Sequence, residues 1–161
     1  MRSFLQNDSD DSNRISDFSG ASTAEARSLL KKAVSFGDFL RQNRKNMLEP
    51  DLSEYLMTLL LQKNLKRAQV VEGSGIDKAY VYQIFNGSKK PSRDKLIAIA
   101  FGMRLNEEET QRLLKLAGHS ALYPRLARDA LILFAIQRGK DIWETDEALD
   151  KNGFPTLLSA E

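Results

Sequence analysis

Between Lys63 and Lys95 eight basic side chains (Lys63, Lys66, Arg67, Lys78, Lys89, Lys90, Arg93 and Lys95) stand against only Glu72, Asp77 and Asp94. Interleaved with them are Tyr80, Tyr82, Gln83 and Asn86. Cations at this density attract phosphates through a local field even though the whole chain carries a net charge of only +2. A planar amide such as Gln83 donates and accepts in one plane, as the edge of a base requires. Other chemistries are poorly served. The chain has no cysteine and one histidine, His119, which excludes disulfides, thiolate catalysis and zinc fingers and leaves no expected metal site. Glu107-Glu108-Glu109 is a run of acids in a first helical turn, where the helix dipole favours them. With no nucleophile and base pair and no phosphate-binding glycine loop, the expectation is not an enzyme and no cofactor.

The elements that must position the basic segment are all helical. Leu52, Tyr55, Leu56, Leu59 and Leu60 form the stripe of a half-buried helix, with Asp51 or Ser53 able to cap it after Pro50. Short helices are expected over about 67–72, 78–85, 92–102 and 106–117, and no stretch alternates as a strand would. Val70 and Val71 turn inward from the first of these. Gly75 permits the positive φ of a tight turn, Ile76 plugs the gap between helices, and Asp77 caps the next helix. On that helix Val81, Ile84 and Phe85 share the inner side, which leaves Lys78, Ala79, Tyr82, Gln83 and Asn86 outward. Asn86-Gly87 ends it, Ser88-Lys89-Lys90-Pro91 makes a basic loop, and Ser92 caps a helix carrying Leu96, Ile97, Ile99, Ala100 and Met103.

This segment resembles the helix-turn-helix of the XRE family, the lambda-repressor-like and Cro-like regulators. The resemblance rests on Val70 at the helix-two leucine position, the turn residue Gly75, Ile76, the core pair Val81 and Ile84, and the ending Gly87-x-x-x-Pro91-Ser92. It implies an all-α, five-helix DNA-binding domain over 51–118 that inserts helix 78–85 into the major groove of double-stranded DNA. It further implies that Lys78, Ala79, Tyr82 and Gln83 make the base contacts. Lys66, Arg67, Tyr80, Asn86, Lys89, Lys90 and Arg93 then hold phosphates, which gives affinity without sequence information. Asp77 replaces the family's small hydroxyl residue, Val71 its alanine and Arg67 its frequent glutamine. Tyr80 and Tyr82 make the outward face more aromatic than usual, and a protein-interaction adaptor that does not bind DNA is the alternative function.

The remaining chain divides three ways. Residues 1–21, rich in Ser, Asp and Asn, are expected to be a disordered tail. A basic amphipathic module is expected over 22–50, with Ser22 and Glu25 at capping-box spacing, Leu29, Leu30, Ala33 and Val34 at helical intervals, and a second helix from Ser35 to Met47. Beyond 118, Glu109-Thr110-x-x-Leu113-Leu114-x-x-x-Gly118 is echoed by Glu144-Thr145-x-x-Ala148-Leu149-x-x-x-Gly153, with Asn106 and Asp141 as corresponding caps. A mostly apolar helix at 125–137 joins them. This extension, 119–161, either completes the monomer core or forms a homodimer interface, and both it and 22–47 are candidate surfaces for a protein partner. The longest apolar run, Leu59-Leu60-Leu61, is far too short for a membrane, and a cytoplasmic location is expected.

Overall fold

The computed structural model describes residues 23–43 and 50–159. The expected tail 1–21, Ser22, and the end of the second helix with Arg44, Lys45 and Met47 lie outside the described residues. Two compact units divide at Pro50. In the first, α1 (Thr23–Lys32) and α2 (Phe36–Asn43) pack together, Ser35 Oγ accepts the Asp38 N–H, and the Phe36 and Phe39 rings stack with centroids 6.3 Å apart.

The second unit contains α3 (Leu52–Gln62), α4 (Arg67–Ser74), α5 (Lys78–Phe85), α6 (Arg93–Gly102), α7 (Glu107–Leu116), α8 (Ala127–Gln137) and α9 (Ile142–Lys151). There is no strand among the described residues. One apolar core runs through it, from Leu56 and Val70 through Leu96, Ile97 and Leu113 to Ile132, Ile142, Leu149 and Leu157. The helices beyond Gly118 therefore share the core of the five before them.

Three helical hairpins, α3/α4, α6/α7 and α8/α9, together with the single helix α5 make up this unit, and the hairpin turns are built alike. Asn64, Arg104 and Gly139 each take positive φ, at 53°, 54° and 67°. Two of the three are not glycine, so the turn itself imposes the left-handed residue. The next N–H in each case reaches five residues back, Leu65 to Leu60, Leu105 to Ala100 and Lys140 to Ala135, at 2.9 to 3.0 Å. A side chain in the following turn then folds back on the residue that opens the second helix: Gln69 on the Lys66 N–H, Glu109 on Asn106 and Glu144 on Asp141. This satisfies a donor that the helix cannot.

The hairpins α6/α7 and α8/α9 repeat each other at a spacing of 35 residues. Arg93-Asp94 returns as Arg128-Asp129, Leu96-Ile97 as Leu131-Ile132, Ala100 as Ala135, Thr110 as Thr145, Leu114 as Leu149 and Gly118 as Gly153. Hydrogen bonds repeat as well. Thr110 and Thr145 hydroxyls donate to the Asn106 and Asp141 carbonyls, and Gln111 and Asp146 side chains accept from the Leu122 and Leu157 N–H groups. Arg93 Nε donates to the Ser120 carbonyl and Arg128 Nε to that of Pro155. Reciprocal ion pairs lock the two copies: Arg93 holds Asp129, and Arg128 holds Asp94, each through two N–H···O bonds of 3.0 and 3.2 Å. Stacking follows one rule, since the first helix of each hairpin packs on the second helix of the hairpin before it, and the second on the first. The short echo seen in the sequence is thus the visible part of a full structural repeat.

The tightest packing is where α4 crosses α6. Ideal Cβ atoms would lie 2.9 Å from the Gly102 carbonyl oxygen if placed on Gly73, and 2.8 Å from the Ser74 nitrogen if placed on Gly102. The opposing atoms are backbone and have no room to retreat. Gly102→Ala should therefore destabilise the protein by about 2 kcal/mol in urea unfolding, although the same change in an open helix stabilises by about 1 kcal/mol. A stabilised variant would contradict the close crossing.

Candidate nucleic-acid interface

Helix α5 is positioned from both ends. Gly75 at φ 70° reverses the chain after α4, and Ile76 is buried below the turn. The Asp77 carboxylate then accepts the Ala79 N–H at 3.1 Å, as a capping residue should. At the far end Ser53 Oγ donates to the Phe85 carbonyl at 2.5 Å, and the Asn86 side chain accepts the Ser88 N–H at 2.9 Å. Val81, Ile84 and Phe85 are buried, which rotates the helix so that Lys78, Ala79, Gln83 and Asn86 are exposed. The Gln83 side chain makes no hydrogen bond within the described residues and keeps its full donor and acceptor capacity.

The two tyrosines are half-buried against the core and organise the cations around the helix. Over the Tyr82 ring lie Arg67 and Lys78, both 5.6 Å from its centroid. Over Tyr80 lie Lys89 at 4.6 Å and Lys95 at 5.4 Å. Each contact is worth roughly 0.5–1 kcal/mol at an exposed site. Four positive charges from α4, α5, the loop and α6 are thereby held along the flanks of one exposed helix. Lys66 and Lys90 extend the same basic surface and are exposed.

The geometry bears on two further cations. Four of the five Arg93 N–H donors are taken within the fold: its guanidinium binds the Asp129 carboxylate, the Ser120 carbonyl at 2.9 Å and the Ala121 carbonyl at 3.0 Å. These bonds give it a structural role, because the repeat places a carboxylate within reach. Lys95, which the sequence reading does not place among the phosphate contacts, stands beside Tyr80 on the basic face. Its proximity to Tyr80 follows from the loop's path, for which the spacing alone carries no signal. The acidic Asp94 beside it is neutralised by Arg128 at 3.0 Å.

The loop after α5 is also braced from behind. His119 donates from Nε2 to the Pro91 carbonyl at 2.9 Å. On the turn side, the Leu158 side chain packs over Gly75 with the edge of Trp143 beside it, and Asp146 accepts the Leu158 N–H at 3.0 Å. Trp143 is half in solvent at 51% exposure.

This arrangement of α4, turn and α5 on a helical core is a helix-turn-helix, a class of domain that binds DNA. Residues 56–101, from within α3 to the end of α6, match the helix-turn-helix family model, and the chain carries a helix-turn-helix of the XRE, lambda-repressor-like type. No curated protein and no solved structure matches the chain. No helix among the described residues is long and apolar enough to cross a membrane.

Burial pushes the Asp129 carboxyl up, but its bonds from Arg93 and the Tyr123 N–H, with the charges of Arg93 and Arg128, outweigh it and hold the carboxyl below the usual range. A carboxylate depressed in the folded state stabilises above its unfolded pKa, near 4, and that contribution disappears as pH falls through the folded value. Acid titration of stability should accordingly fall less steeply below about pH 4 in Asp129→Asn than in the wild type, from a lower starting point at neutral pH. Arg93→Ala should lose about 3 kcal/mol in urea, because a buried carboxylate is left unpaired, whereas Lys90→Ala should stay within about 0.5 kcal/mol of wild type. Equal stabilities for these two variants would return Arg93 to the surface role.

Proposed function

We propose that the protein is a sequence-specific regulator of transcription that docks α5 in the major groove of double-stranded DNA. The observation that carries this reading is the exposed face of α5, where unengaged Gln83 and small Ala79 are flanked by four cations held on Tyr80 and Tyr82. The groove requires a narrow, hydrogen-bonding helix surface between positively charged shoulders, and this face meets both conditions.

In the proposed complex Gln83 pairs with an adenine edge, a contact worth about 1–3 kcal/mol of discrimination, and Lys78 reaches a neighbouring base. Ala79 allows close approach or meets a thymine methyl group. Lys66, Arg67, Lys89, Lys90 and Lys95 hold the phosphates on either side. Tyr82 and Tyr80 serve chiefly as platforms for these cations, and the Asn86 side chain, held by Ser88, shapes the start of the phosphate loop. No such cluster favours the adaptor alternative, whose aromatic face would need Tyr80 and Tyr82 free of overlying cations.

The test is a fluorescence titration against mixed duplex fragments over a salt series. With five cations on phosphates, log Kd should rise with log salt at a slope of about 4.5 per protomer, and Lys90→Ala should lower that slope by about 1. The double variant Lys78→Ala, Gln83→Ala should lose preference among fragments while keeping most of its salt-sensitive affinity. Salt-insensitive binding, or no binding at low salt, would overturn the reading.

A further inference from the structure

We infer that the connection between α7 and α8, residues 118–126, is a second phosphate-binding element beside the loop after α5, with Arg125 as its cation. The inference rests on the DNA reading above and extends the contact surface beyond residues 56–101, the stretch that matches the helix-turn-helix family. The 35-residue repeat sets Arg125 in the place of Lys90: each stands three residues ahead of the arginine, Arg128 or Arg93, that opens the repeated pattern. Both cations are exposed on a connection that leads into the first helix of a hairpin.

Equivalence in the repeat becomes proximity because the two hairpins are locked together at this end. Arg93 and Asp94, in the first turn of α6, pair with Asp129 and Arg128, in the first turn of α8, through bonds of 3.0 and 3.2 Å. The starts of the two helices therefore lie side by side, and the residues that enter them arrive together. The connection is also tied to the phosphate loop itself: His119 Nε2 donates to the Pro91 carbonyl at 2.9 Å, and Arg93 donates to the Ser120 and Ala121 carbonyls. Gln111 accepts the Leu122 N–H at 2.7 Å, and Asp129 accepts the Tyr123 N–H at 2.9 Å. A backbone held at successive residues from His119 to Tyr123 fixes the start of Arg125 before DNA arrives, which lowers the entropy lost on binding.

The electrostatics favour an anion and, among anions, the backbone that α5 already meets. Residues 86–92 and 118–126 contain no acid. The aspartates of the adjoining first turns are both held by arginines, Asp129 by Arg93 and Asp94 by Arg128. Arg125 itself makes no ion pair or hydrogen bond among the described residues. Lys89, Lys90 and Arg125 thus form a row of cations, unopposed by acids, that leads from the end of α5 along the stack. A polyanion with regularly spaced charges can engage the whole row, whereas an isolated phosphate meets only part of it. Base edges take no part in this contact, so Arg125 adds affinity and no sequence preference.

Titration of the full chain against mixed duplex fragments over a salt series tests this. One more phosphate contact adds about 0.9 to the slope of log Kd against log salt that the five cations around α5 set. Arg125→Ala should remove that increment and weaken binding about five- to tenfold at about 0.1 M salt, with the preference among fragments and the urea midpoint as in wild type. Arg125→Lys should restore the slope. Arg138→Ala, at an exposed arginine just past the other end of α8, makes the same change in net charge and should leave the slope alone. An Arg125→Ala variant that behaves like Arg138→Ala, in a protein whose wild type binds duplex in a salt-dependent way, overturns the inference and leaves the DNA reading in place. Loss of fragment preference in Arg125→Ala also overturns it. A wild type that binds no duplex at low salt removes both.

Discussion

The backbone contact between α4 and α6 at Gly73 and Gly102 is the constraint from which the rest of the domain follows. Side chains on both helices would hold their axes apart, as in ordinary helix packing at about 8–10 Å. Removing two Cβ atoms lets the carbonyl of one helix approach the other directly. With α4 pressed onto α6, the turn at Gly75 has one direction in which to leave, and α5 emerges across the surface with Val81, Ile84 and Phe85 beneath it. The exposed edge of α5 is thus a consequence of a crossing several residues away.

On this frame the cations are arranged by aromatic rings. Arg67 and Lys78 begin successive helices, while Lys89 and Lys95 stand on a loop and the helix after it. Long basic side chains at such positions ordinarily sample many rotamers. Tyr82 and Tyr80 limit that freedom by offering each pair a ring face, which lowers the entropy lost when a phosphate arrives. The acid groups nearby are engaged elsewhere. Asp94 faces Arg128 and is balanced at short range, whereas Asp77 caps α5 and keeps its charge at the start of the helix.

Much of this was legible in the residues. Val70, Gly75, Ile76, Val81, Ile84 and Pro91 carry local requirements, a core position or a backbone angle, that hold wherever the segment is placed, and they specify the helix-turn-helix and the outward face of α5. Caps were equally readable at Asp51, Asp77, Asn106 and Asp141, since the bond spans only two or three residues. Long-range pairing was not. Arg93 looks like any other cation until Asp129 is brought beside it across 36 residues, and Lys95 gains its place only from the course of the loop. The same holds for 125–137: its apolar composition predicts burial, yet the end of a stack leaves Phe134 in solvent. The echo at Glu109 and Glu144 was the one trace of this larger order, because capping residues are the part of a repeat under the tightest local chemistry.

The central claim, that α5 and its flanks are the DNA-binding surface, is tested most directly by amide chemical-shift mapping of the full chain titrated with duplex DNA. The account predicts that the largest changes fall at Lys66 to Gln69, Lys78 to Gln83 and Ser88 to Lys90, with α8 and α9 nearly silent. Changes concentrated on α8 and α9, with α5 unmoved, would contradict it.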